Sequence, residues 1–195
     1  MVQVLLFHSA LGLRAGETEL AGALRSAGHE VTLVDQFDGR TFDTYDAAMA
    51  HSDELGMPAM MASALEAAKG VSGPFVTAGF SNGAGMAQWV AANHPDQVRG
   101  VVMAGGALDM KWLEKDWPTG VPGQIHHSES DPFVDEGSDD AVVGQAVAAG
   151  ATVELFVYPG DGHLFSDPTF SEYDEESATI FRQRVVEFVG SVGRS

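Results

Sequence analysis

The stretch Gly73-Pro-Phe-Val-Thr-Ala-Gly-Phe-Ser81-Asn-Gly-Ala-Gly-Met-Ala-Gln-Trp-Val90 combines the patterns of a strand, a tight turn and a helix. Residues 75–78 form a short apolar run typical of a buried strand, and residues 86–93 have the composition of a helix. Between them, residues 79–83 match G-x-S-x-G, a motif whose serine stands on a sharp strand-to-helix turn. The stretch therefore predicts a strand followed directly by a helix, with Ser81 at their junction.

The two glycines of this motif have a steric purpose. Side chains two positions before or after Ser81 would collide with the neighbouring strand and helix, so Gly79 and Gly83 permit a strained turn that lifts the serine hydroxyl clear of the sheet. The helix that follows offers unpaired N–H groups and the positive end of its dipole to an oxyanion. We therefore predict Ser81 as a nucleophile and the amide of Asn82 as an oxyanion donor.

The glycine-rich turn has two other interpretations: a packing turn without chemistry, and a phosphate-binding loop. A P-loop requires a lysine that this turn lacks, and a dinucleotide-binding fingerprint requires G-x-G-x-x-G after the first strand. Residues 8–16 do not provide that fingerprint. A flavodoxin-like or nucleotide-binding domain is therefore the weaker interpretation, and the packing turn remains open.

The rest of the chain alternates short apolar runs with longer Ala-rich segments of helical period, a pattern that predicts a parallel sheet with crossover helices. We predict a single α/β domain over residues 1–195, with a doubly wound, mostly parallel sheet and helices on both faces. The predicted strands are 2–8, 30–35, 74–79, 99–104, 122–127 and 152–157. The predicted helices are 16–28, 54–69, 83–93, 137–149 and 176–190.

An acid and a base follow the serine in the order that a Ser…Asp…His triad takes on a parallel sheet. Asp131 comes after strand 122–127, and His163 lies on a glycine-flanked loop after strand 152–157. Carboxyl ends of parallel strands meet at one sheet edge, so we expect both side chains near Ser81. The loop after the first strand should then supply a second oxyanion donor, the amide of Ala10. Rival acids are Glu129, Asp135 and Asp161.

His126 and His127 raise the possibility of a metal site. Adjacent residues of a strand point to opposite faces, so two neighbouring histidines cannot easily bind one ion. We therefore expect no metal at this position.

Four segments together resemble the dienelactone hydrolase family: VLLFHSALGL in the first loop, GFSNGAG at the turn, SDPFV at Asp131 and YPGDGHLF at His163. The resemblance covers most of the chain. It implies a minimal, lidless α/β-hydrolase core without cofactor or metal, with Ser81, Asp131 and His163 as the triad. The implied activity is hydrolysis of a carboxylic ester or lactone.

The chain also departs from this family in ways that bear on the substrate. The namesake enzymes carry a cysteine where Ser81 stands and an acidic residue about where Ser9 stands. They also hold the substrate carboxylate with arginines, one of them just past the catalytic histidine, where this chain has Ser166-Asp167-Pro168. These differences favour a neutral small-molecule ester or lactone. Phe80 and Trp112 are candidate walls of the substrate pocket, although packing over the sheet edge is an alternative for the tryptophan.

Composition narrows the remaining function classes. The formal net charge of −18 disfavours nucleic acid and anionic membrane surfaces as partners, and the first apolar run is too short to span a membrane. The chain has no cysteine, which suits a reducing cytoplasm and excludes a cysteine nucleophile. The alternative to an enzyme is a non-catalytic ligand-binding or regulatory member of the same fold. Oligomeric state is not indicated by the sequence.

Overall fold

The computed structural model describes residues 1–193, so the last two residues of the predicted domain lie outside it. Residues 1–193 form six strands and six α-helices, with two helices between the second and third strands and only a 3₁₀ turn between the fourth and fifth. The strands are β1 (Gln3–Phe7), β2 (Glu30–Val34), β3 (Phe75–Phe80), β4 (Val98–Ala104), β5 (Gly123–Ser128) and β6 (Val153–Tyr158). The helices are α1 (Ala15–Ser26), α2 (Tyr45–Leu55), α3 (Met57–Lys69), α4 (Asn82–Asn93), α5 (Ser138–Ala148) and α6 (Glu175–Val192), with a 3₁₀ turn at Met110–Leu113.

The six strands form one sheet in the order β2-β1-β3-β4-β5-β6, and every neighbouring pair is parallel. All six residues of the central strand β3 are buried, as expected when helices cover both faces of a parallel sheet. The predicted doubly wound α/β sheet is confirmed. Each observed strand boundary lies within one residue of its predicted position.

Alternate residues of β1 show how the two faces of the sheet are filled. Leu5 and Phe7 belong to the apolar cluster that also contains buried side chains of α3, α4 and α5. Val4 and Leu6 belong to the cluster that contains buried side chains of α1 and α6. This period of two places a helical layer on each side of the sheet.

The strand register aligns the carboxyl ends at one edge of the sheet. Phe80, the last residue of β3, lies opposite Ala104, the last residue of β4. Ser128 and Tyr158, which end β5 and β6, also lie opposite each other. The loops that carry the candidate site residues therefore leave the sheet from the same edge.

The predicted secondary structure has a single helix over 54–69 in this segment and does not include α2. Two helices occupy this segment, separated by Gly56 with a φ of 76°. The Thr44 side chain accepts a hydrogen bond from the amide of Ala47 and so caps α2. Only Ala48 of α2 is fully buried, so the apolar period that would predict this helix is weak.

Within residues 1–193, no helix has both the length and the apolar character that crossing a bilayer demands.

Candidate active site

Ser81 stands on a strained turn between β3 and α4. Its φ of 53° and ψ of −116° are unusual for a residue with a side chain, and its amide donates a hydrogen bond to the Ala104 carbonyl at 2.6 Å. A Cβ on Gly79 would collide with the Gly83 backbone, and one on Gly83 would lie 2.6 Å from the Phe7 carbonyl oxygen. Both glycines therefore allow the approach of strand and helix that holds Ser81 above the sheet.

The structure brings Ser81, His163 and Asp131 together in one hydrogen-bonded chain. The Nε2 atom of His163 lies 2.7 Å from Oγ of Ser81. The Nδ1 atom of the same ring lies 2.8 Å from Oδ2 and 3.0 Å from Oδ1 of Asp131. A proton on Nδ1 satisfies the carboxylate and leaves the Nε2 lone pair directed at the serine hydroxyl.

Backbone contacts support the loops that carry the acid and the base. The amide of Phe133 donates to Oδ1 of Asp131 at 2.9 Å, and the side chain of this aspartate is fully buried. The Ser128 hydroxyl donates to the Gly162 carbonyl at 2.6 Å, which joins the end of β5 to the loop of His163. Gly105, with a φ of 82°, leaves room for the imidazole, because a Cβ there would lie 2.8 Å from its Cε1 atom. The pair is thus held in one arrangement by packing and hydrogen bonds.

Ala10 and Asn82, the two predicted oxyanion donors, both border the cavity above Ser81. Asn82 is the first residue of α4, where an amide has no partner within its own helix. Among the described residues, no acceptor meets the amide of Ala10 or of Asn82. The two N–H groups are therefore free to donate to a ligand.

A buried ion network, which the sequence analysis does not predict, fixes the loop of Ala10. Oε1 of Glu17 accepts the Ser9 amide at 3.1 Å, and Oε2 accepts the Arg14 amide at 3.0 Å. The Arg14 guanidinium donates to Oδ2 of Asp167 at 2.7 Å, which connects this loop to the segment after His163. Burial raises the pKa of the Glu17 carboxyl. The Asp167 charge that follows His163 is therefore paired with Arg14, and Asp167 does not border the cavity.

A cavity of about 750 Å³ opens beside Ser81 and His163. Trp112 borders it at the mouth, where 80% of its surface is exposed. The prediction for Phe80 is wrong: this side chain is only 3% exposed and packs edge-on against Phe181 of α6, with ring centroids 5.7 Å apart. Phe80 shares the strand parity of Val76 and Ala78, so its ring enters the opposite face of the sheet.

His126 and His127 point to opposite faces of β5 and serve different contacts. The Tyr158 hydroxyl lies 2.9 Å from Nδ1 of His126, and Oε1 of Gln124 lies 3.2 Å from its Nε2. His127 instead lies 3.0 Å from Oδ2 of Asp139 in α5. Within residues 1–193, no group of three or more His, Cys, Asp or Glu side chains is arranged to hold a metal ion.

The pKa values of these two histidines move in opposite directions. Burial, with the positive charge of Arg184, lowers the pKa of His126 to about 3. The hydrogen bond to Asp139 raises the pKa of His127 above its ordinary value of 6.5. His126 is therefore neutral in the folded protein at mildly acidic pH, whereas His127 is held in its charged form.

We expect His126 to weaken the fold in acid. Between pH 6.5 and about 3 the unfolded chain binds a proton at this residue that the folded chain does not. The free energy of unfolding therefore falls as the pH decreases through this range, by up to about 1.4 kcal/mol per pH unit from this group. The free energy of unfolding, measured with urea between pH 4 and 7, should depend less steeply on pH in His126→Gln than in the wild-type protein. An unchanged slope would contradict this role of His126.

His127→Gln is the matched control, because its effect has the opposite sign. A raised folded-state pKa stabilises the protein fully below pH 6.5, and that contribution is lost as the pH rises through the folded-state value. His127→Gln should therefore lower the free energy of unfolding more at pH 6 than at pH 9, and leave the acid slope caused by His126 in place.

The chain is similar to known proteins both in its sequence and in its fold. The chain matches the model of the dienelactone hydrolase family over residues 2–193. A dienelactone hydrolase-like promiscuous phosphotriesterase from metagenomic libraries superposes with a TM-score of 0.83 at 18% identity, covering 98% of this chain and 87% of that one. A dienelactone hydrolase from Anabaena variabilis gives 0.73 at 19% identity, with coverages of 96% and 84%.

An esterase from Pyrobaculum calidifontis superposes with a TM-score of 0.71 at 18% identity, covering 100% of this chain and 78% of that one. A comparison with curated proteins gives no match. At these identities the structural likeness establishes the α/β-hydrolase fold alone, and the evidence for the family is the match to the family model.

Proposed function

The chain belongs to the dienelactone hydrolase family, and from this membership we propose that it hydrolyses a carboxylic ester or lactone through an acyl-enzyme on Ser81. The observation that carries the proposal is the position of one imidazole, 2.7 Å from the Ser81 hydroxyl and 2.8 Å from the Asp131 carboxylate. A serine hydroxyl needs a neutral imidazole to take its proton, and a buried carboxylate keeps that imidazole in the correct tautomer.

The first half of the reaction transfers the acyl group to the enzyme. Oγ of Ser81 attacks the ester carbonyl carbon while its proton passes to Nε2 of His163, and Asp131 stabilises the imidazolium. The carbonyl oxygen becomes an oxyanion that accepts hydrogen bonds from the amides of Asn82 and Ala10. When the tetrahedral intermediate collapses, the bond to the alcohol oxygen breaks, and that oxygen takes the proton from His163.

The second half returns the enzyme to its starting state. Water attacks the acyl carbon, His163 accepts the water proton, and the same two amides stabilise the second oxyanion. Collapse of this intermediate breaks the bond to Oγ, which recovers its proton from the imidazole. The products are a carboxylic acid and an alcohol, or one hydroxy acid from a lactone.

A fluorophosphonate probe tests the nucleophile directly. We expect one equivalent of probe to attach to Ser81, because among residues 1–193 only this serine has its hydroxyl hydrogen-bonded to an imidazole that can remove its proton. Peptide mass mapping should locate the adduct, and Ser81→Ala should abolish it. Ser130→Ala is the matched control, since Ser130 is exposed on the loop next to Asp131, whereas the His163 ring bonds to Asp131 and Ser81. Labelling that survives Ser81→Ala would refute the proposal and favour a non-catalytic binding protein.

A further inference from the structure

The cavity beside Ser81 has an unusual lining. Five of the eight methionines in the chain border it, and they come from three different helices. Other apolar side chains complete the wall. The five methionines are Met49, Met57, Met60, Met61 and Met86. Methionine side chains are flexible and polarisable, so such a wall adapts to apolar groups of different shape.

The methionine wall begins next to the nucleophile. The Asn82 side-chain amide lies 3.4 Å from the Met60 sulfur, so α3 meets α4 one residue beyond Ser81. One turn further along α4, Gly85 borders the cavity, and a Cβ there would lie 3.7 Å from Leu108. A group attached to the reacting carbonyl can thus extend from Ser81 directly along apolar surface.

The charged residues of the cavity all have the same sign. Asp53, Asp109 and Asp135 border it, and no lysine or arginine of residues 1–193 does. Hydrogen bonds from Gln145 and the Lys111 amide lower the pKa of Asp109, which keeps it ionised. A substrate carboxylate would find no cationic partner here and would lose its hydration without compensation.

We propose that this cavity binds the hydrocarbon chain of an uncharged ester, of the order of eight carbons long, since a volume near 750 Å³ suits a ligand well beyond a small lactone. The inference rests on the proposed ester hydrolysis and names its substrate class. This substrate class differs from the anionic lactones of the namesake enzymes, because no lysine or arginine in the described part of the chain borders the cavity to pair with a carboxylate.

Chain-length dependence is the first test. In a series of p-nitrophenyl esters from acetate to decanoate, we expect kcat/KM to rise about three- to fourfold for each added methylene up to about eight carbons. A parallel series of alkyl acetates tests whether the chain belongs to the alcohol instead, and a rise in either series supports the proposal. Rates that are flat or fall with length in both series would overturn it.

Gly85→Leu should narrow the cavity and shift the optimum to shorter chains. The position is helical and has space for a Cβ, so the substitution is compatible with the fold. We expect the octanoate-to-acetate ratio of kcat/KM to fall about tenfold or more. Gly22→Leu, the same change at an exposed glycine of α1 with no atom near its Cβ, should leave the ratio unchanged. Equal ratios in the two variants would contradict the assignment.

A substitution at Met57 tests the preference for an uncharged substrate. Met57 borders the cavity and is 47% exposed, so this position tolerates a polar side chain. The wild-type protein should favour p-nitrophenyl pentanoate over the p-nitrophenyl half-ester of succinate by about 100-fold or more, because the carboxylate is unpaired. Met57→Lys should reduce this preference about tenfold, whereas Met57→Gln should not. A wild-type preference for the half-ester would refute the uncharged class.

A binding measurement separates this inference from the hydrolysis on which it rests. Thermal unfolding of Ser81→Ala should be shifted upward by 2-decanone but not by 2-butanone, and Gly85→Leu added to this variant should remove the shift. If Ser81 reacts with the fluorophosphonate probe but 2-decanone does not stabilise the protein, the substrate class is wrong and the hydrolase assignment stands. If 2-decanone binds but Ser81 is not labelled, the hydrolysis is wrong and the apolar binding site stands.

Discussion

Ser81→Ala is expected to lower kcat for ester hydrolysis by about 10⁴- to 10⁶-fold, because alanine has no oxygen to form the acyl-enzyme. His163→Gln should cause a loss of the same size, since its removal leaves the serine hydroxyl without a base at 2.7 Å. Steady-state rates on p-nitrophenyl esters measure both losses, and circular dichroism with urea unfolding checks that the fold is retained.

The double variant is the sharpest control. Substitutions of residues that act in the same proton transfer do not have additive effects on the activation free energy. The double variant Ser81→Ala/His163→Gln should therefore lose no more activity than either single variant. Multiplicative losses would mean that the two residues contribute independently, and the proposed hydrogen-bonded chain would then not be the catalytic unit.

Arg14→Met is expected to lower the free energy of unfolding by about 3 to 5 kcal/mol. The substitution keeps an unbranched apolar stem but removes the cation from Asp167, whose side chain is only 6% exposed. It also removes the hydrogen bonds from the guanidinium to the Phe42 and Thr169 carbonyls. An unpaired buried carboxylate then remains beside a second one, Glu17. Urea unfolding at pH 7 measures the loss.

Arg182→Met is the matched comparison for this effect. Arg182 donates to Oε2 of Glu19 at 2.9 Å, but the Glu19 side chain is 43% exposed, so water screens the pair. We expect this substitution to cost about 1 kcal/mol or less. Similar losses in the two variants would show that burial does not set the strength of the Arg14 network.

Much of the fold follows from local patterns. The apolar runs at residues 75–78 and 101–104 predict central strands because only a sheet covered on both faces buries consecutive side chains. These strands are where the patterns place them. Helix α2 is missed for the opposite reason: it buries almost nothing beyond Ala48, so its sequence carries little apolar period. Its stability depends on its cap and its neighbours.

Much of the candidate site also follows from the sequence. Ser81, Asp131 and His163 are predicted from a short motif and from strand order, and the structure brings them within hydrogen-bonding distance. Their catalytic roles, and those of Ala10 and Asn82, remain predictions. Phe80 does not line the cavity, although it directly precedes Ser81, because alternation along β3 turns its ring to the other face of the sheet.

The sequence by itself determined the six strands, five of the six α-helices, the parallel character of the sheet and the candidate triad, because each depends on spacing between near neighbours and on the common edge at which parallel strands end. Only the tertiary structure decided the methionine cavity and the pairing of Arg14 with Asp167, residues that lie 153 positions apart. The physical reason is that a cavity wall or a buried ion pair depends on which side chains packing brings together. The periodic patterns of the sequence carry no information about such long-range contacts.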